Sequence, residues 1–238
     1  MRRSCFILAG LALAVSSAAL AQQGAQFTDK GSHPSSMTSA SGVDQAALAR
    51  DLAEYGVHND MPLALVTAAR ILLKSPVTAS TDHAQSGANK GTAPAAGSRQ
   101  DTQEPALDPA ALLAAAKGMV HDDPHVQMLI DEMTSQLPTS TRGATGGPVV
   151  RNGRVEVGQY NWYNIMFNGS ENAHVVVDGD GTTDLDCYAY AQDGSLIDSD
   201  TDLTDYCVLD WFENWTGTVR VEIHNLGNVY NDYVLITN

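Results

Sequence analysis

The sequence predicts an α+β chain in which N-terminal helical pairs precede an all-β, antiparallel, jelly-roll-like sandwich. Three observations carry that expectation. Apolar residues recur at three- and four-residue steps between residues 43 and 138, they alternate strictly after about Gly153, and turn-forming pairs then punctuate the chain at short intervals. At 238 residues the chain has room for one or two modest domains.

Arg2 and Arg3 precede an apolar run from Phe6 to Val15, and Ala19-Leu20-Ala21 closes it. A positive start, a short apolar run and a small-x-small end describe a secretory signal peptide over residues 1–21, cleaved before Gln22. The run is shorter than the roughly 20 residues a spanning helix needs, so no membrane insertion is expected after cleavage. Export to the periplasm or the extracellular medium follows. Cys5 departs with the signal, and in an oxidising compartment the remaining pair, Cys187 and Cys207, is expected to form a disulfide.

Residues 22–42 are Gln, Ser, Gly and Thr with few large apolar groups, a composition expected to stay disordered. Residues 43–75 read as a helical pair. Asp44 can cap a first helix whose Ala47, Leu48, Leu52 and Tyr55 recur at helical spacing to a stop near Gly56. Asp60 can cap a second, with Pro62 in its first turn and Leu63, Val66, Ile71 and Leu72 supplying apolar surface. Residues 76–106 are of low complexity without an apolar period, and are expected to be a linker.

The helical grammar returns over residues 107–138, with Asp108-Pro109 and Asp123-Pro124 as starts and Leu112, Leu113, Val126, Ile130 and Met133 as apolar positions. The two pairs look like copies: Ala46-Ala47-Leu48 matches Ala110-Ala111-Leu112, and Val57-His58-Asn59-Asp60 matches Val120-His121-Asp122-Asp123. Two copies suit a small packed helical unit, with a protein-contact surface as its functional reading. His121 and His125 fall on either side of a helix start, so they read as polar turn residues and not as metal ligands.

Residues 139–152 are expected to be a second linker and 153–238 a β domain. Tyr163, Ile165 and Phe167 alternate with Trp162, Asn164 and Met166; Ala173, Val175 and Val177 alternate with His174, Val176 and Asp178. Leu185, Cys187 and Ala189 alternate with Asp184, Asp186, Tyr188 and Tyr190, and Val219, Val221 and Ile223 with Arg220, Glu222 and His224, which leaves each strand one wet face. Cys207, Leu209 and Trp211 share a face, and Tyr233 with Leu235 marks the last strand. Seven or eight such strands argue for a sandwich, and the alternation turns both cysteines inward.

These residues resemble a known family. Asp184-Leu185-Asp186-Cys187-Tyr188-Ala189-Tyr190, then Asp193-Gly194-Ser195-Leu196, Gly217 before Val219-Arg220-Val221-Glu222-Ile223, and Asn231-Asp232-Tyr233-Val234-Leu235 are similar to the bacterial pre-peptidase C-terminal domain. The resemblance covers residues 153–238. It implies a jelly-roll-like sandwich of the kind attached to exported enzymes, some binding calcium or an extracellular polymer. Cys187 departs from the family, which usually has Leu there, as does Thr218 at the start of its strand, and no peptidase precedes the domain. Membership implies a fold, not catalysis.

Net charge and motifs narrow the function. The formal charge is −15, and residues 151–238 hold 15 acids against 3 bases, which disfavours nucleic acid and anionic lipid as partners. Asp178, Asp180, Asp184 and Asp186 surround one turn and Asp198, Asp200, Asp202 and Asp205 another; oxygen ligands at that density make the first four a candidate calcium site. The run is not an EF-hand, because Thr183 and Ala189 stand where Gly and Glu are needed. Trp162, Trp211, Trp215, Tyr160 and Tyr230 offer an aromatic platform, from which Trp215, in a turn, and Tyr230 are the binding candidates. No catalytic motif is found. The expected function is therefore an exported, non-catalytic binding or accessory protein whose partner is a protein or an extracellular polymer, with calcium as the candidate cofactor. A secreted hydrolase or a structural envelope component are the alternatives.

Overall fold

The computed structural model describes residues 41–100, 106–138 and 147–238. The expected signal peptide, most of the expected disordered segment and residues 139–146 of the second linker lie outside the described residues.

Helix α1 (Gly42–His58) begins earlier than Asp44 would allow as a cap. Ser41 is the cap: the Asp44 backbone N–H donates to Ser41 Oγ at 3.2 Å, while the Ser41 N–H donates to the Asp44 carboxylate at 2.9 Å. The two residues satisfy each other's orphan donors. Helix α2 (Pro62–Lys74) follows Met61, with no side-chain cap. Asp60 is instead a left-handed turn residue, at φ 52°, because the chain must reverse between the helices within a few residues. Asp108 and Asp123 do cap α3 (Pro109–Met119) and α4 (Pro124–Ser135), accepting from Ala111 N–H at 2.8 Å and His125 N–H at 2.9 Å.

Ten strands among the described residues form two sheets, the first two lying between α2 and α3. They are β1 (Thr78–Ala79), β2 (Gln85–Ala88), β3 (Val149–Val155), β4 (Gln159–Phe167), β5 (Glu171–Asp178), β6 (Leu185–Tyr190), β7 (Leu196–Asp200), β8 (Tyr206–Glu213), β9 (Gly217–Asn225) and β10 (Asn231–Thr237). Sheet A has the order β1-β3-β10-β5-β8 and sheet B the order β2-β4-β9-β6-β7. The antiparallel pairs β3–β10, β4–β9, β5–β8 and β6–β7 nest inside one another like a long hairpin rolled into a barrel. That is a jelly roll. Val155, Ile165, Phe167, Val175, Leu209 and Val221 are among the side chains that fill its interior. Cys187 of β6 and Cys207 of β8 are disulfide-bonded, tying sheet B to sheet A through that core.

Two expectations need correction. Residues 76–100 are not a free linker: β1 pairs in parallel with β3, β2 pairs antiparallel with β4, and each extends one sheet at its edge. These pairings use backbone groups, so Ser, Thr, Gly and Ala suffice and no apolar period is needed. Likewise β3 starts at Val149, which moves residues 149–152 from linker to sheet.

The helices do not stand apart from the sandwich. Their apolar cluster, with Val43, Leu65, Leu72, Leu112 and Ile130, includes Val150, Val176, Val234 and Ile236 from the outer face of sheet A. Sheet A is thus buried on both faces, which explains the unbroken Val175-Val176-Val177 and Val234-Leu235-Ile236 runs. That cluster contains no residue of sheet B.

The outer face of sheet B as a candidate binding site

Strand alternation and register set the site. Even-numbered residues of β4, β9 and β6 point away from the core, and the pairing aligns them in rows. The first row is Tyr160, His224 and Asp186; the second is Trp162, Glu222 and Tyr188; the third is Asn164, Arg220 and Tyr190. Four aromatic rings therefore stand on a sheet face that no described helix covers.

The side chains hold one another in place. Tyr160 stacks on His224 with centroids 4.6 Å apart, and Tyr188 meets His224 edge-on at 5.1 Å. Arg220 lies over Trp162 at 4.7 Å while its guanidinium pairs with Glu222 at 2.8 Å, and Glu222 also meets His224 at 2.9 Å. The Tyr188 hydroxyl donates to Asp186 at 3.0 Å. Burial and then the Asp186 carboxylate push that hydroxyl's pKa up to about 12, so it remains a donor at any physiological pH. Burial also raises the pKa of Asp186, outweighing the Tyr188 hydrogen bond. Rings fixed this way are pre-organised for contact.

From the third row an open trough of about 740 Å³ runs along Asn164, Tyr190, Gln192, Thr218 and Arg220. A second hollow of about 390 Å³ adjoins it and shares Ala191, Gln192 and Thr218. Trp211, Phe212 and Trp215 line its far side. Trp215 is 81% exposed, as its place in a turn suggested. Trp211 is partly buried, edge-on to Phe167 at 4.9 Å, in keeping with an inward reading.

Tyr230 is placed differently from its expected role. Arg99 covers its ring at 4.2 Å and Arg154 at 3.8 Å. The ring is spent inside the protein, where it helps fasten the segment carrying Arg99.

Of the four candidate calcium ligands, Asp180 and Asp186 are engaged by other groups. Asp180 is buried and bound by Arg99 at 2.5 Å, and it also accepts from Asp232 N–H at 2.7 Å. Asp178 is buried at the end of β5, Asp184 precedes β6, and Asp186 belongs to the first row of the open face. The second acidic cluster serves the sandwich edge: Asp200 accepts from Val208 N–H at 2.9 Å and Asp198 from Asp210 N–H at 2.8 Å, bridging β7 to β8. Among the described residues, no three His, Cys, Asp or Glu side chains are grouped to hold a metal ion. No described helix is long and apolar enough to cross a membrane.

Tyr160 and Trp162 were legible as platform residues. Tyr188, Tyr190, Arg220 and Glu222 were visible only as wet-face positions, because their convergence depends on the β4–β9–β6 register, which the sequence does not print.

No family model matches the chain, and no curated protein matches it. Among solved structures, it is similar to the pre-peptidase C-terminal domain of a collagenase from Bacillus anthracis, at 8% identity and TM-score 0.25 over 38% of this chain and 76% of that one. It is also similar to the C-terminal CBM6 of LamC, a marine laminarinase from Zobellia galactanivorans, at 13% identity and TM-score 0.23 over 34% and 73%. A carbohydrate-binding module of Cellvibrio mixtus lichenase 5A, solved with cellotriose, aligns at 7% identity and TM-score 0.24 over 37% and 86%.

Proposed function

We propose that the chain is an exported, non-catalytic binding module that holds an extended polymer of the cell exterior against the outer face of sheet B. One observation carries the reading: the outer face of sheet A is packed against the helical cluster, with α1 lying on β5 and β10, whereas sheet B presents Tyr160, Trp162, Tyr188 and Tyr190 in consecutive rows on a face that no described helix covers. Half-exposed aromatic rings gathered on one face suit a contact site. An open trough suits a chain passing through better than a small molecule enclosed on all sides. The disulfide supports an oxidising compartment. The carboxylates on the face are engaged, Glu222 by Arg220 and His224 and Asp186 by Tyr188, which favours holding a ligand over proton transfer to it.

Co-sedimentation of the protein with cellulose, chitin, mixed-linkage glucan and fibrous collagen tests this. At least one polymer should retain the protein without releasing soluble fragments, and a Trp162→Ala/Tyr190→Ala variant with unchanged far-UV circular dichroism should stay in solution. Retention of that variant at wild-type level would remove sheet B from the reading, and release of fragments would make the protein an enzyme.

A further inference from the structure

Resting on that reading, we infer that the polymer is a neutral polysaccharide and that its chain leaves the third row of sheet B and turns over the end of the sandwich onto Trp215. The trough and the second hollow are one path, since Ala191, Gln192 and Thr218 line both. Tyr190 stands at one end and Trp215 at the other.

The Trp215 turn is built to be rigid. Gly169 packs so tightly under it that a Cβ there would meet the Trp215 Cα at 2.8 Å. The Gly169 N–H donates to Thr216 Oγ1 at 2.9 Å, and the Ser170 N–H donates to the Glu213 carbonyl at 2.6 Å. The indole is held out from a hydrogen-bonded backbone, so stacking on it orders the side chain and not the turn.

Charge and hydrogen-bond inventory identify the class. An anionic chain meets a domain of 15 acids and 3 bases, whose cation at the trough, Arg220, is already paired with Glu222. A polyproline-type peptide brings ring faces, yet its imide backbone offers acceptors and few donors. It would leave the Asn164 and Gln192 amide oxygens without donors, which is costly on desolvation. Sugar hydroxyls both donate and accept, and sugar rings carry flat C–H faces that fit indole and phenol rings. That class answers both halves of the lining.

Calorimetry with neutral disaccharide, tetrasaccharide and hexasaccharide series, β-glucan and chitin derived, reads the path directly. The hexasaccharide of the preferred series should bind about tenfold more tightly than its disaccharide, since a second aromatic stack is worth on the order of one such factor. Trp215→Ala should erase that gain with length, whereas Met128→Ser, on exposed α4, should keep it. Affinity independent of length, or a length gain that survives Trp215→Ala, overturns the path to Trp215 while leaving sheet B as the site. Binding of gelatin in place of every oligosaccharide overturns the ligand class, and binding of nothing in either panel overturns the proposed function as well.

Discussion

Tyr233 of β10 is fully enclosed between the sheets, and its hydroxyl is the hub of a small polar network in an apolar core. It accepts from Asn161 Nδ2 at 3.0 Å and lies 3.1 Å from the Tyr163 hydroxyl, while Gly153 gives its ring room that any Cβ would occupy. Burial pushes the Tyr233 hydroxyl far above its ordinary pKa, so it is a permanent donor and acceptor. Tyr233→Phe should therefore cost about 1–2 kcal/mol in urea unfolding, because Asn161 and Tyr163 lose a partner they cannot replace with water. An unchanged midpoint would reduce the residue to its ring. The disulfide contributes more. Cys187 and Cys207 are 20 residues apart, so the Cys187→Ala/Cys207→Ala pair should lose about 3 kcal/mol on the chain-entropy argument, and reductant should lower the wild-type midpoint to match. The two cysteines and the alternation that turns them inward were readable from the sequence alone. The Asn161–Tyr163–Tyr233 network was not, because its members are about 70 residues apart and only the β-strand order brings them together.

At the scale of elements, the segment over residues 76–100 is the largest departure from what the sequence suggests. It contributes β1 and β2 to the two sheets and ends with Arg99 clamped between Asp180 and the Tyr230 ring. Gly97 N–H donates to Asn228 O at 2.6 Å and Asn89 Nδ2 to Asn225 O at 2.9 Å along the way. Nothing in its composition signals this, since edge pairing is made by the backbone and the clamp depends on a distant Asp. The helix–sheet contact was not read from the sequence either, although Val175-Val176-Val177 and Val234-Leu235-Ile236 lack the polar alternation of a half-exposed strand. Arg99 and Asp180 side chains are only 10% and 1% exposed, so removing the guanidinium leaves a buried carboxylate. Arg99→Ala should cost about 3 kcal/mol and, more diagnostically, should raise amide exchange and protease cutting within residues 85–98 ahead of the rest of the chain. Uniform loss of protection across both sheets would mean that the segment is part of the core and not a strap over it.

For the molecule as a whole, the acidic balance sets how stability varies with pH. Burial raises the carboxyl pKa of Glu54 despite Arg50 and His58, and of Asp205 despite its bonds to Asn231 and Gly181. Burial raises Asp184 as well, and the charges of Asp186, Asp202 and Asp205 add to it; Asp186 shifts the same way. Each of these groups holds its proton more tightly folded than unfolded, so between the ordinary values of 3.8 or 4.5 and the raised ones, stability increases as pH falls. The hydrogen bonds from Ser41 and the charge of His174 hold Asp44 below its ordinary value even against burial, and Ser80 and Arg151 do the same for Asp82. Their contribution is lost only below 3.8. The melting midpoint should accordingly rise as pH is lowered from neutrality through the raised carboxyl values, and fall again below 3.8. Asp184→Asn should raise the neutral-pH midpoint by about 2 °C and flatten that rise, because it removes one member of the repelling group. Calcium and magnesium at equal ionic strength separate repulsion from coordination. Screening of Asp184, Asp186, Asp202 and Asp205 raises the midpoint equally with either ion, whereas a saturable rise with calcium alone, abolished by Asp184→Asn, would mean that these carboxylates gather around an ion after all.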